Sequence, residues 1–224
     1  MADPDLRRTF LDERRAICRE RFDTLHAPVY DDRWGGYVNP THERCLLTLV
    51  SHLSPGDRVL DAACGTGKYW PMLLDAGLAV VGTDQSQAML DVATAKHPEV
   101  PTHRVALQDL SSVDLTAFDA ALCIDALENV GPEDWLTVAG GLRATLRPGA
   151  AAYVTIELLD PDDPEPRDDP AGAAAPLVPG EVLSGGAYHY YPAVSDAAEM
   201  LHAVGFTIDE VLEGDGYAHL LMST

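Results

Sequence analysis

Lysine is almost absent from this chain of 224 residues and occurs only at Lys68 and Lys96. Lys and Arg together number 15, against 36 Asp and Glu, so the formal net charge is −21. Nucleic acids and anionic membrane surfaces attract basic protein faces, and this composition argues against both as partners. We therefore expect a small-molecule partner, and the choice between a monomer and a homodimer stays open.

Long apolar runs and paired cysteines are also lacking. No stretch approaches the roughly 20 apolar residues of a membrane-spanning helix, and no basic and apolar leader opens the chain. The four cysteines, at positions 18, 45, 64 and 123, show neither a Cys-x-x-Cys pair nor a zinc-finger spacing. We expect a cytoplasmic protein with reduced, mostly buried thiols and no metal site.

Short apolar strands alternate with helices from residue 56 onward, which predicts an α/β fold of right-handed βαβ units with a largely parallel sheet. Two further strands, 206–212 and 217–222, flank the turn residues 213–216 and predict a closing antiparallel hairpin. The other predicted strands are 58–63, 79–84, 102–107, 118–124 and 151–158, and the helices among them are 69–76, 86–96, 132–147 and 193–203.

A glycine-containing turn, LDAACGTG at 60–67, follows the first predicted strand. Glycines there let the backbone approach a ligand and expose amides at a helix start. Asp84 follows Gly65 by 19 residues, at the end of the second strand, where an acid accepts hydrogen bonds from both ribose hydroxyls. A tight turn would explain the glycines alone, and a helix N-cap would explain Asp84 alone. The glycines and Asp84 together predict a nucleoside at the carboxyl ends of the strands.

Two phosphate-binding patterns are incomplete in this segment. The dinucleotide fingerprint needs a third glycine where this chain has Trp70, and a P-loop needs Ser or Thr where it has Tyr69. Asp61 on the first strand would repel a pyrophosphate but suits an ammonium group. A nucleoside that carries a cationic amino acid is S-adenosylmethionine, which we expect as the ligand. A short-chain oxidoreductase on the same fold would need a catalytic Tyr-x-x-x-Lys pair, and neither lysine of this chain has a tyrosine four positions before it.

Five segments in order resemble the motifs of class I S-adenosylmethionine-dependent methyltransferases. The resemblance covers about 56–158 and extends to 222 by strand order; its segments are LDAACGTG (60–67), VVGTDQSQAML (80–90), LQDL (107–110), FDAALCIDALENV (118–130) and LRPGA (146–150). It implies a Rossmann-like, seven-stranded, mostly parallel sheet with an antiparallel C-terminal hairpin, helices on both faces and a helical N-terminal cap. It also implies S-adenosyl-L-methionine as cofactor and S-adenosyl-L-homocysteine as product.

We predict a single methyltransferase domain, 1–224, with four parts. Amphipathic patterns over 5–22 and 41–52 predict a helical cap within 1–54, which precedes the cofactor-binding core, 55–158. Six prolines between 160 and 180 predict that 159–192 is a loop insertion on the acceptor side. The last part, 193–224, supplies the final helix and hairpin.

The residues that we predict to bind the cofactor come from the motifs and from the aromatic part of the cap. Asp109 has two interpretations, since it would lie near the adenine amino group or cap a helix. The cap aromatics would contact the cofactor or simply pack the cap onto the sheet. The full set is Tyr30, Trp34, Tyr37, Asp61, Ala63, Cys64, Gly65, Thr66, Gly67, Asp84, Gln85, Met89, Gln108, Asp109, Leu110, Ile124 and Asp125.

The predicted reaction is in-line methyl transfer to a small molecule, in which orientation and desolvation contribute much of the catalysis. A base is needed only where the acceptor arrives protonated. The catalytic candidates are Asp125, Glu128, His189 and Tyr190. The Ala-, Asp- and Arg-rich composition hints at specialised metabolism. Two alternatives remain: a non-catalytic module that binds the nucleoside, and a methyltransferase acting on a protein.

Overall fold

The computed structural model describes residues 4–160, 175 and 177–224. Within these ranges a seven-stranded sheet has the order β3-β2-β1-β4-β5-β9-β8. Its parallel strands are β1 (Arg58–Ala62), β2 (Ala79–Asp84), β3 (Thr102–Arg104), β4 (Phe118–Cys123) and β5 (Leu146–Glu157). The strands β8 (Thr207–Gly214) and β9 (Tyr217–Ser223) form the antiparallel hairpin, and β9 pairs with β5. The predicted fold class is therefore confirmed.

The chain reverses its direction of travel across the sheet between β1 and β4. The strands β2 and β3 lie on one side of β1, and the remaining strands of the sheet lie on the other. In open α/β sheets, ligands bind outside the carboxyl ends of the strands at such a switch point. The fold thus places the glycine turn after β1 and the residues after β4 at a preferred ligand position.

Helices cover both faces of the sheet because successive strand residues point to opposite sides. On one face, α2 (Pro40–Ser51), α3 (Trp70–Asp75) and α4 (Gln87–Lys96) contribute Leu49, Leu73 and Leu90 to a buried cluster. On the other face, α5 (Trp135–Thr145) and α6 (Val194–Ala203) contribute Leu142 and Leu201 to a second cluster.

The cap consists of α1 (Pro4–Arg21) and two π-helical turns, Phe22–His26 and Asp31–Gly35, that lead into α2. No helix in the described ranges combines the length and the apolar content that a bilayer crossing requires.

Three parts of the fold differ from the sequence prediction. The strand β5, predicted over 151–158, already begins at Leu146, so the preceding helix, predicted to run to residue 147, ends at Thr145. The third strand, predicted over 102–107, ends at Arg104, and a 3₁₀ turn at Leu107–Ser112 follows. Part of the predicted loop, 159–192, is a separate hairpin of β6 (Glu181–Ser184) and β7 (Ala187–Tyr190). The prediction for residues 161–174 and 176 lies outside the described residues. The division into four parts stays a prediction.

Candidate active site

The glycine turn after β1 leaves open space for a ligand. Ala63, Gly65 and Gly67 all have positive φ values, of 58°, 54° and 72°. A Cβ atom on Gly65 would meet no atom within 4 Å, whereas one on Gly67 would lie 2.6 Å from the ring of Trp70. Gly65 therefore leaves room for a ligand to approach the backbone, whereas a side chain at position 67 would clash with Trp70.

Asp84 ends β2 and faces the same turn. Its Oδ2 accepts a hydrogen bond from the Gly65 amide at 2.9 Å, and its Oδ1 accepts one from the Ser86 amide at 2.8 Å. Burial raises the pKa of Asp84 to about 6, although both backbone amides act in the opposite direction. Each carboxylate oxygen retains a further lone pair, so the group can still accept from a pair of hydroxyls.

Asp61 lies on β1 and is 2% exposed. Its Oδ2 accepts a hydrogen bond from the Trp70 indole at 2.8 Å. A Cβ atom on Gly82 would be 2.4 Å from that indole, so the glycine in β2 makes room for the ring. Burial raises the pKa of Asp61 to about 7, and the nearby charge of Asp84 adds to this shift. A ligand ammonium group would stabilise the ionised carboxylate.

These groups open into one cavity, which we call the cofactor cleft. It encloses about 860 Å³, its open mouth included. The predicted residues that line it are Tyr30, Asp61, Ala63, Cys64, Gly65, Asp84, Gln85, Met89, Gln108, Ile124 and Asp125. Sequence reasoning missed its other lining residues, which are Arg15, Phe22, Lys68, Tyr69, Val105, Leu107, Ala126, Asn129 and Val130.

Several predicted cofactor residues lie elsewhere. Tyr37 is 60% exposed and lines neither this cleft nor its neighbour. Asp109 is exposed and Leu110 is buried in the core, because a 3₁₀ turn presents Gln108 to the cleft instead. Thr66 and Gly67 do not line the cleft, since the Thr66 hydroxyl donates to Asp31 and Gly67 makes room for the ring of Trp70.

A second cavity, the outer chamber, adjoins the cleft and encloses about 1150 Å³, again with its mouth. The two cavities share Phe22, Tyr30, Lys68, Asp125 and Asn129. The other residues lining the chamber are Cys18, Arg21, His26, Trp34, Glu128, Ser184, Ala187, Tyr188, His189 and Tyr217.

Three of the four catalytic candidates meet at this chamber. Asp125, Glu128 and His189 all line it. Tyr190, the last residue of β7, lies outside its lining. The ring of Tyr190 packs edge-on against Trp135, with centroids 6.3 Å apart. The structure therefore does not bring Tyr190 to the site.

Asp125 occupies the junction of the two cavities and has a positive φ of 51°. Its amide donates to the Thr155 hydroxyl at 2.8 Å, and its Oδ1 pairs with Nε2 of His42 at 3.0 Å. His42 is fully buried and stacks on Tyr69, with a ring-plane angle of 5°. His42 fixes the orientation of Asp125 from 83 residues away, and no local sequence pattern indicates this pairing.

Glu128 and His189 have shifted pKa values for different reasons. Burial raises the pKa of the Glu128 carboxyl well above its ordinary value, and the charge of Glu157 contributes. The Asn129 side-chain amide donates to it at 2.7 Å. Burial lowers the pKa of His189, and the positive charge of Arg21 lowers it further. His189 is therefore neutral at neutral pH and able to accept a proton.

Two aspartates of the cap attach it to the core beside the cleft. Asp23 accepts from the Ser86 hydroxyl at 2.6 Å and from the Ala88 amide at 3.2 Å, at the start of α4. Asp31 accepts from the Thr66 hydroxyl at 2.6 Å and pairs with Lys96 at 2.7 Å. These contacts hold the cap over the glycine turn.

A buried ion-pair network attaches α1 to the separate hairpin. Arg7 pairs with Glu181, whose side chain is fully buried, and with the half-exposed Glu133 at 2.7 Å. Glu181 also accepts from the Tyr188 hydroxyl at 2.5 Å and from the Val178 amide at 2.7 Å. Cap and hairpin thus enclose the outer chamber together.

An open α/β sheet with a glycine turn and a strand-end acid at its switch point defines a nucleoside-binding protein. The comparison with known families narrows this class. Residues 59–149 match the family model described as "Methyltransferase domain". These residues therefore form a methyltransferase domain, and the fold of the chain is that of the class I S-adenosylmethionine-dependent methyltransferases, as its motifs predict.

Individual relatives agree with this family. The chain is 34% identical to a ubiquinone biosynthesis O-methyltransferase of Hahella chejuensis over 103 residues, which are 44% of this chain and 42% of that protein. It is 28% identical to a malonyl-[acyl-carrier protein] O-methyltransferase of Serratia marcescens over 185 residues, 80% of this chain and 70% of the relative. The magnesium protoporphyrin IX methyltransferase of Synechocystis PCC 6803, solved with bound S-adenosylmethionine, superposes with a TM-score of 0.66 at 18% identity, over 94% of this chain and 96% of that one.

Proposed function

We propose that the protein transfers the methyl group of S-adenosylmethionine to a small-molecule acceptor held in the outer chamber. The observation that carries this proposal is the junction at Asp125, where a cleft suited to the nucleoside meets a second, larger cavity. A protein that only bound the nucleoside would need no such second cavity.

The chemistry of the cleft side chains fits this cofactor. Asp84 would accept from the ribose hydroxyls, and Asp61 would pair with the ammonium group. Lys68 lines the cleft and would pair with the cofactor carboxylate; burial lowers the pKa of its ammonium group. Gln108 and Met89 lie among the side chains available to the adenine ring.

S-adenosylmethionine supplies an activated methyl group, whose bond to sulfur breaks with its electron pair left on sulfur as the acceptor bonds to carbon. The chain's own contribution is placement, since Asp125 and Tyr30 line both cavities and would hold the two reactants in line. The cap and the hairpin, which supply most of the chamber walls, would limit the access of water to the reacting groups. His189 would take a proton from an acceptor that arrives protonated.

The enclosure of the chamber favours a small molecule over a protein acceptor. Its walls come from the cap, the hairpin of β6 and β7, and β9, and α1 is joined to the hairpin by the Arg7 network. A role in specialised metabolism, the cytoplasmic location, the exclusion of nucleic acid and the oligomeric state stay predictions.

The test is release of S-adenosylhomocysteine from S-adenosylmethionine in the presence of a panel of phenols, amines and carboxylic acids. We expect turnover with at least one small acceptor, and loss of turnover on substitution of Asp125 by Asn. Tight cofactor binding without turnover on any acceptor would favour the non-catalytic alternative, and turnover on proteins alone would favour the protein-acceptor alternative.

A further inference from the structure

Aromatic residues recur at every fourth position of the cap, at Phe22, His26, Tyr30 and Trp34. The ring centroids of Phe22 and His26 are 5.0 Å apart, those of His26 and Trp34 6.1 Å, and those of Tyr30 and Trp34 5.1 Å. The two π-helical turns bring these rings together. Such turns are rare in proteins, and those that occur are often found at functional sites. All four side chains line the outer chamber and form what we call the aromatic wall.

The aromatic wall is not part of the hydrophobic core. None of its four residues belongs to a buried hydrophobic cluster of the described chain, and Trp34 is 40% exposed. Further rings of the chamber come from β7 and β9, with His189 and Tyr217. Clustered apolar surface that the core does not use marks a binding site. Because rings stack on other rings, the occupant that suits this wall is itself flat and aromatic.

The polar groups of the chamber indicate the chemistry of the reacting atom. Arg21 is a cation that lines the chamber but not the cleft. Its guanidinium group donates one hydrogen bond to the Gly185 carbonyl at 3.1 Å. Asp125 is already paired with His42. Burial raises the pKa of Glu128, which favours its neutral form. A positive group beside a neutral imidazole suits an acceptor that becomes an anion, and it repels an acceptor that arrives as a cation.

We propose that the acceptor is a planar aromatic compound that presents a ring hydroxyl group to the cofactor. This inference rests on the proposed function. The hydroxyl gives its proton to His189, the oxygen bonds to the methyl carbon, and the bond from carbon to sulfur breaks with its electron pair left on sulfur. The products are an aromatic methyl ether, S-adenosylhomocysteine and a proton, which His189 passes to solvent.

Three matched probes test the acceptor class by binding alone. They are 2-naphthol, its saturated analogue decahydro-2-naphthol, and the cationic 2-(aminomethyl)naphthalene, each titrated into the full chain saturated with S-adenosylhomocysteine. We expect 2-naphthol to bind at least about tenfold more tightly than either of the others, a difference that ring stacking and charge can supply. Equal or tighter binding of the saturated or the cationic probe would overturn the proposal, as would no binding by any probe.

A pair of variants tests the wall itself. Trp34→Leu removes one ring of the wall, and Tyr37→Leu removes a ring of the same cap that lines neither cavity. We expect Trp34→Leu to weaken 2-naphthol binding by about threefold to tenfold and Tyr37→Leu to leave it unchanged, with S-adenosylhomocysteine affinity constant in both. An equal loss in both variants, or none in Trp34→Leu, would contradict the role of the wall.

The two levels of the proposal fail in different ways. If S-adenosylhomocysteine does not bind the wild-type chain, the proposed function fails. If it binds but the probes do not discriminate as expected, only the acceptor class fails.

Discussion

The cofactor cleft and the outer chamber are built from different parts of the chain. The defining groups of the cleft follow β1, β2 and β4 within the segment 59–149 that matches the family model. The chamber is lined largely by the cap, by β7 and by β9, which lie outside that segment. The matched segment therefore holds most of the cleft, and under the proposed function we expect the surrounding elements to determine the choice of acceptor.

The two regions also differ in their charged groups. The cleft buries Asp61 and Asp84, whose pKa values burial raises to about 7 and about 6. The chamber adds Arg21 and the aromatic wall. A cationic cofactor fits the first set, whereas a neutral or anionic ring fits the second. The predictions below separate the two regions, beginning with the largest expected effect.

The largest effect is expected from Glu181→Gln, which disrupts the enclosure of the chamber. The change weakens the buried pairing of Arg7, and loss of a buried ion pair costs about 3 kcal/mol in the free energy of unfolding. Glu133→Gln is the matched control, because Glu133 is 47% exposed, and it should cost less than about 1 kcal/mol. Denaturant titration measures both. S-adenosylhomocysteine affinity of the folded variants should stay within about threefold, and a parallel loss of affinity would show that the two regions are not separable.

The next effect is expected from Asp84→Asn, which alters the cleft alone. Loss of the charged acceptor should weaken S-adenosylhomocysteine binding by about 2 kcal/mol, or roughly 30-fold. Asp109→Asn provides the comparison, since Asp109 is exposed and outside the cleft, and it should have no effect. Calorimetric titration of both variants measures the difference, and similar affinities would remove Asp84 from the site.

A pH dependence should distinguish the two acids of the cleft. Ionised Asp61 is needed for the cofactor ammonium, and its pKa is about 7 in the free protein, so S-adenosylmethionine affinity should rise at least about tenfold from pH 5.5 to pH 8. Methylthioadenosine lacks the ammonium group, so of the two acids only Asp84 should affect the pH dependence of its binding. Its affinity should therefore rise less than about fivefold over the same pH range. Equal slopes for the two ligands would contradict the pairing of Asp61 with the ammonium group.

The raised pKa values of Asp61 and Asp84 should make cofactor affinity increase with pH, but they should make the protein without cofactor less stable as the pH rises. Between pH 4 and the raised pKa values, the folded state holds more protons on Asp61 and Asp84 than the unfolded state does. Their contribution to the free energy of unfolding therefore falls as the pH rises from about 4 to about 7. Thermal unfolding with and without S-adenosylmethionine would measure this, and the cofactor should give its largest stabilisation above pH 7.

The smallest effect is expected from Asp31→Asn, which loosens the cap. Its ion pair with Lys96 is about one-third exposed on both sides, so the variant should lose less than about 1 kcal/mol. Amide exchange over 22–36 should become faster, and S-adenosylhomocysteine should restore protection. Asp32→Asn alters an exposed neighbour and should change nothing. Exchange rates that do not respond to the cofactor in any variant would make the cap a packing element only.

The core of the fold and of the cleft was predictable from local sequence. Alternating strands and helices, the turn at 60–67 and the acid at Asp84 are short-range patterns whose geometry the parallel sheet imposes. The N-cap at Ser86 is another such pattern, and its hydroxyl accepts from the Met89 amide at 3.1 Å.

The chamber was less predictable because its contacts join distant segments. His42 pairs with Asp125 across 83 residues, and Arg7 pairs with Glu181 across 174. The choice between His189 and Tyr190 depends on the packing of Tyr190 against Trp135, a contact between distant segments that the sequence does not reveal. The four-residue spacing of the aromatic residues in the cap is present in the sequence. The π-helical turns that bring these rings together at the chamber are not predictable from that spacing.

Calorimetric titration of the full chain with S-adenosylmethionine, S-adenosylhomocysteine and NAD is the most direct test of the central claim. The cleft predicts micromolar binding of both sulfur nucleosides at one site per chain, and no binding of NAD, because Asp61 and Trp70 stand where a pyrophosphate and a third glycine would be required. Binding of NAD alone, or of none of the three, would contradict the assignment of the cleft.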